Sequence, residues 1–171
     1  FLHNILEWCC QQGFSKVIEQ PELLTTEVTR RCEAKNSSDY DIALITAWIK
    51  DLLTTSFRLP DGGKVSLHTL GRAKAEMEFW FEAKDLDVRK LDQLVSELAP
   101  SRQPRPAAKA LEFNGMLKGF IDLSFEKDGR YYVLDYKSTF LGGDDSAYTQ
   151  AAMERKTLEK RYDLQYIIYT L

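Results

Sequence analysis

The sequence predicts an α/β protein: a mixed sheet of about four strands with helices on both faces and a helical segment at its N-terminus. Three observations predict it. Lys118 to Lys137 alternates apolar and polar residues on both sides of an Asp128-Gly129 pair, the pattern of a β-hairpin with a tight turn. Lys74 to Phe81 alternates as well, with Ala75, Met77, Phe79 and Phe81 against Glu76, Glu78 and Trp80. The segments before, between and after these strands carry apolar residues at helical spacing.

In order, Phe1 to Glu19 reads as a helix with Leu2, Ile5, Leu6, Cys9 and Cys10 on one face. Pro21 reads as a break, followed by a short helix from Thr25 or Thr26 to Ala34. Asn36 to Asp39 is a polar loop and a good N-cap for a helix over Tyr40–Thr55, whose apolar face is Ile42, Ile45, Trp48, Ile49 and Leu52. Leu59 to Gly63 is turn-rich, and Val65 to Leu70 has the look of a short strand in which His68 is structural or exposed. Asp85 to Leu98 is an amphipathic helix. Ala99 to Pro106 reads as a mobile linker, its prolines set against helix; Arg102, Arg105 and Lys109 make it locally basic, and a weak phosphate contact is the functional alternative. After the hairpin, Asp144, Asp145 or Ser146 caps a helix over Ala147–Glu159, and Arg161 to Leu171 continues helically.

The chain has 171 residues and a net charge of −3, with ordinary apolar and charged fractions, as expected of one soluble, cytoplasmic domain. The first 56 residues form a helical cap and residues 64–171 the core. The mild negative charge argues against a free-standing, tight nucleic-acid binder but leaves open an enzyme to which nucleic acid is delivered. No apolar run is long enough for a membrane span. Of the three cysteines, Cys9 and Cys10 are adjacent and Cys32 is alone, which fits reduced thiols and no zinc site. The start at Phe1 and the end at Leu171, within a helical pattern, suggest a fragment of something longer.

Chemistry concentrates at the hairpin. A period of two puts Asp135 and Lys137 on one face of the return strand, and pairing brings Asp122 of the outgoing strand near Asp135. Two carboxylates at that separation suit Mg²⁺, a hard cation that prefers oxygen donors, and a neighbouring lysine can steady charge developing on a phosphate. An exposed salt bridge on a surface hairpin is the plain alternative for a lone D-x-K.

The D-(spacer)-D-x-K pattern resembles the PD-(D/E)xK nuclease superfamily, with its restriction-endonuclease-like core, and within it the RecB-type nuclease domain. GMLKGFIDL at 115–123, GRYYVLDYKSTFLG at 129–142, SAYTQAAM at 146–153 and RYDLQYIIYTL at 161–171 carry the resemblance, with FLH at 1–3 and EMEF at 76–79 upstream. It implies a DNA nuclease acting as exo- and endonuclease in break repair and recombination. Mg²⁺ would be held by His3, Asp122, Asp135 and the backbone carbonyl of Tyr136, with Mn²⁺ or Ca²⁺ able to replace it. Glu76, or second to it Glu78, completes the acidic cluster. Lys137 acts on the attacking water or the transition state, and Gln165 and Tyr169, four residues apart on one helical face, position the site. The implied partners are linear double-stranded ends and single strands of DNA, the RecC and RecD subunits, and RecA as recipient of the strand. ATP serves only a helicase part, since no GxxxxGK[ST] loop occurs in these residues. A catalytically inactive nuclease fold used for DNA binding or subunit docking is the alternative; it would be expected to lose Asp135 or Lys137, and both are present.

Overall fold

The fold is α/β, as its sequence predicts, in a computed structural model that describes residues 1–35, 40–98, 103–108 and 112–170. Asn36 to Asp39, Arg102 and Lys109 lie outside the described residues. The helices are α1 (Leu2–Gln12), α2 (Phe14–Glu19), α3 (Pro21–Glu33), α4 (Ile42–Thr54), α5 (Val88–Leu98), α6 (Gln150–Glu159) and α7 (Tyr162–Tyr169). Strands β1 (Phe57–Arg58) and β2 (Lys64–Val65) form a small antiparallel pair. Strands β3 (Arg72–Asp87), β4 (Glu112–Lys127) and β5 (Arg130–Leu134) form a sheet in that order.

The chain divides into two compact units, Phe1–Met77 with Asp122–Tyr136, and Glu78–Ile121 with Lys137–Leu171. The first unit holds the larger core. Ile5, Leu6 and Cys9 of α1, Phe14 and Val17 of α2, Leu24, Val28 and Cys32 of α3, and Ile49 and Leu53 of α4 bury together with Leu123 and Phe125 of β4. The helices α1–α4 therefore share one core with the hairpin. Gly13, at φ +91°, separates α1 from α2 where a single helix is expected; only a residue without Cβ takes that conformation cheaply. Pro21 starts α3 rather than breaking the chain before it. It stands at the first helical position, where its missing N–H is no loss and its fixed φ suits the helix. Asp41 caps α4 by accepting from the Leu44 N–H at 2.9 Å. Val65 ends β2, and Leu67–Thr69 forms a 3₁₀ turn in place of the expected strand. His68 is structural: its Nδ1 lies 3.1 Å from the Leu53 carbonyl. Trp48, expected on the buried face of α4, is exposed, and Thr46 is buried instead. All three cysteines are free thiols, and burial pushes Cys9 up to about 12, well away from thiolate chemistry.

The hairpin turn is Asp128-Gly129, both at positive φ (+53° and +77°), with Lys127 paired to Arg130. This is the primed geometry that matches strand twist. The ladder runs from there to Leu123 opposite Leu134, so β5 ends before Asp135, short of the expected Lys137.

In the second unit α5 and α6 pack on α7. Thr149, not Asp144 to Ser146, caps α6, accepting from Ala152 N–H; Asp144 caps only a 3₁₀ turn over Asp145–Ala147. Arg161, in the left-handed region at φ +57°, separates α6 from α7, so the expected continuous helix is two. The supposed mobile linker is pinned where it is described. Arg105 is buried to 7% exposure against Asp163, Arg161 donates to the Pro106 carbonyl at 2.7 Å, and the Ala108 N–H reaches Asp92 at 3.0 Å. Composition gave no hint of this, because the partners lie far along the chain. On the inner face of β3 and β4, Gly119 leaves room for the Phe79 ring; a Cβ there would sit 2.4 Å from it. Gly119→Ala is expected to cost roughly 1–3 kcal/mol, read as a lowered melting temperature, because the ring is also packed edge-on against Tyr169 at 5.5 Å.

Candidate active site

In the first unit, one register step beyond the Leu123–Leu134 pair come Asp122 and Asp135. The Asp122 carboxylate accepts the Tyr136 N–H at 2.7 Å through Oδ2, which fixes its direction. His3, in the first turn of α1, places Nε2 2.7 Å from the Tyr136 carbonyl oxygen and 3.5 Å from Asp122 Oδ2. The ring of Tyr136 anchors this backbone: it packs against the core, edge-on to His3 at 6.0 Å. Burial, followed by the charges of Cys10 and Asp122, pushes its phenol far above the ordinary range. Asp135 follows the strand with Oδ2 buried.

These donors fit a small hard cation. An octahedral ion with bonds of about 2.1 Å sets neighbouring donors about 3 Å apart, and the His3–Tyr136 and His3–Asp122 separations of 2.7 and 3.5 Å bracket that value. Among the described residues no three His, Cys, Asp or Glu side chains form a metal cluster by themselves. The oxygen beside His3 and Asp122 is instead the main-chain carbonyl of Tyr136.

Glu76 and Glu78 keep different company, although strict alternation would aim both one way. Glu76 sits at φ +49° within β3, a bulge-like interruption that re-aims a side chain. Its carboxyl is raised by burial first, then by the charges of Asp122 and Glu7, with His3 opposing. Glu78 belongs to the second unit, 2.8 Å from Lys118 Nζ and accepting from the Trp80 indole. Glu7 escapes a motif-based reading. Its spacing of four from His3, which places both on one face of α1, is the signal that could have found it.

In the second unit, Lys137 Nζ donates to Gln165 Oε1 at 2.9 Å, Gln165 Nε2 donates to the Tyr169 hydroxyl at 2.5 Å, and that hydroxyl donates to the Phe120 carbonyl at 2.8 Å. Gln165 and Tyr169 lie four apart on α7. The relay has one polarity throughout, each group donating to the next, and so orients the ammonium. The Tyr162 ring supports it, its centre 4.2 Å from Nζ.

No family model matches the chain. Among curated proteins it is 42% identical over 129 residues to "RecBCD enzyme subunit RecB" of Escherichia coli (strain K12), covering 75% of this chain and 11% of that protein. It is 32% identical over 132 residues to the protein of the same name from Buchnera aphidicola subsp. Acyrthosiphon pisum, again 75% and 11%. With that of Haemophilus influenzae it shares 37% over 97 residues, 56% of this chain and 8% of the relative. The chain thus spans about a tenth of the length of these relatives. The matches are to one named subunit in each organism, and on them the chain belongs to the RecB family.

Proposed function

We propose that the chain is a Mg²⁺-dependent DNA nuclease domain, hydrolysing phosphodiester bonds in the repair and recombination of double-strand breaks. The observation that carries this reading is the convergence of His3 Nε2, Asp122 Oδ2 and the Tyr136 carbonyl at ligand-like separations. Kinship with proteins named as RecBCD subunits supports it. His3, Asp122, Asp135 and the Tyr136 carbonyl are the residues that would hold the ion; Mn²⁺ or Ca²⁺ suits the same donors. Bound there, the ion supplies Lewis acidity toward a phosphate oxygen and acidifies water. Glu76, with its raised proton affinity, completes the acidic cluster and is suited to taking up a proton. Lys137 presents a positive charge to the phosphate, held in direction by Gln165 and Tyr169. The setting we propose is cytoplasmic, with RecC and RecD as partner subunits, hand-over of the strand to RecA, and ATP consumed by a helicase part. Among the described residues no helix is long and apolar enough to cross a membrane.

The test is cleavage of linear and circular single-stranded DNA by the purified protein in Mg²⁺, beside Asp135→Ala and Lys137→Ala. Both variants are expected to lose cutting by about 10²-fold or more, and calorimetry is expected to show Mg²⁺ binding lost in Asp135→Ala and kept in Lys137→Ala. Cutting that persists in a chelator, or that neither substitution slows, overturns the reading.

A further inference from the structure

The second unit carries an exposed aromatic row that the relay does not use. On β3 and β4, the inward residues Phe79, Phe81 and Gly119 pack together, with the two phenylalanine rings stacked at 6.0 Å. The opposite face shows Trp80 at 57% exposure and Phe120 at 42%. Lys118 stands between them, its ammonium 4.4 Å from the Trp80 ring centre and 4.9 Å from that of Phe120. Exposed aromatic rings on a sheet face are costly to leave in water and mark a binding surface.

We infer that Trp80, Lys118 and Phe120 form a stacking platform for the bases of single-stranded DNA, leading a strand toward the Lys137 relay. Three observations select this occupant. The lysine lies between two π-faces, so one strand can stack its bases while a phosphate meets the ammonium. The Phe120 carbonyl is the end of the relay from Lys137 through Gln165 and Tyr169, so the platform and the relay share a residue. A cavity of about 260 Å³ beside the relay is lined by Lys118 and Gly119 together with Gln165 and Tyr169, so Lys118 borders the relay as well as the two rings. Glu78 pairs with Lys118 at 2.8 Å, which leaves the local charge balanced. Affinity therefore comes from the ring faces more than from charge, and base-free backbone binds poorly.

This inference rests on the nuclease reading for its direction but not for its test. The purified protein is titrated, in a chelator, into fluorescent oligo(dT) and into an abasic strand of the same length, with binding followed by anisotropy. Oligo(dT) is expected to bind more tightly than the abasic strand. Trp80→Leu and Phe120→Leu are each expected to weaken oligo(dT) binding roughly fivefold or more while leaving the abasic strand unaffected, and Trp80→Phe, which keeps a π-face, to retain it. Both rings are exposed, so unchanged melting temperatures accompany these effects. Equal binding of the two strands, or wild-type oligo(dT) affinity in Trp80→Leu, overturns the platform. Cleavage by the unsubstituted protein in Mg²⁺ separates the two readings: base-dependent binding by a protein that never cuts supports the platform and sinks the nuclease, whereas cutting with no effect of Trp80→Leu on binding sinks the platform alone.

Discussion

Replacing Asp122 with asparagine is expected to lower Mg²⁺-dependent cleavage on the order of 10³-fold while leaving the fold nearly as stable as before. The substitution separates two tasks that one carboxylate performs. As a hydrogen-bond acceptor, Oδ2 takes the Tyr136 N–H at 2.7 Å and so sets the direction of the backbone whose carbonyl faces His3. An amide oxygen can do this equally well, which keeps the melting temperature close to that of the parent. As an anion, the same carboxylate faces His3 at 3.5 Å and raises the proton affinity of Glu76. An amide lacks the charge that attracts a divalent cation. Asp122→Ala removes both tasks and is expected to be equally inactive and also less stable, by about 1–3 kcal/mol for the buried N–H left without its partner. Single-turnover cleavage, Mg²⁺ calorimetry and thermal melts distinguish these outcomes. An asparagine variant that cuts at the parental rate would show that Asp122 serves the backbone alone.

The same residue shows how far the site can be read from sequence. A period-two pattern around Asp128-Gly129 is enough to bring Asp122 near Asp135, because a two-residue turn fixes register, and the ladder runs to Leu123 opposite Leu134, one step short of them. The resemblance brings in His3, which lies 133 positions from Tyr136 in the chain, a separation no local rule spans. What stays hidden is what depends on backbone detail. The left-handed conformation of Glu76 defeats strict alternation, and only its surroundings distinguish it from Glu78. The helices were legible as apolar faces, but their breaks were not. Gly13 and Arg161 interrupt them through φ values above zero, and an arginine gives no warning of such a conformation. Least legible was the segment around Arg105. A Pro-rich, basic stretch reads as linker by composition, whereas its fate is decided by carboxylates at positions 92 and 163.

Those carboxylates carry the largest stability effect expected in the second unit. Asp163 is fully buried and takes Arg105 Nη1 at 2.5 Å through one oxygen and Arg161 Nε at 3.2 Å through the other. Arg161 continues to Asp92 and to the Pro106 carbonyl, so two guanidinium groups and two carboxylates tie α5, the 103–108 segment and the start of α7 together. Asp163→Leu takes away the carboxylate beside Arg105, whose side chain is 7% exposed. The expected cost is roughly 3–5 kcal/mol, measured by urea denaturation. That cost is the penalty of burying a guanidinium that has lost a carboxylate rather than the worth of the pair, and a second substitution tests the distinction. Arg105→Met combined with Asp163→Leu removes both charges and refills the space with apolar atoms. It is expected to be more stable than Asp163→Leu alone, with a coupling energy of about 1–3 kcal/mol between the two positions. Additive losses in that double-mutant cycle would mean that the two side chains act independently, each through its own packing. A double variant as stable as the parent would locate the role of the ion pair in specificity, holding the segment in one place where an apolar contact would let it slide.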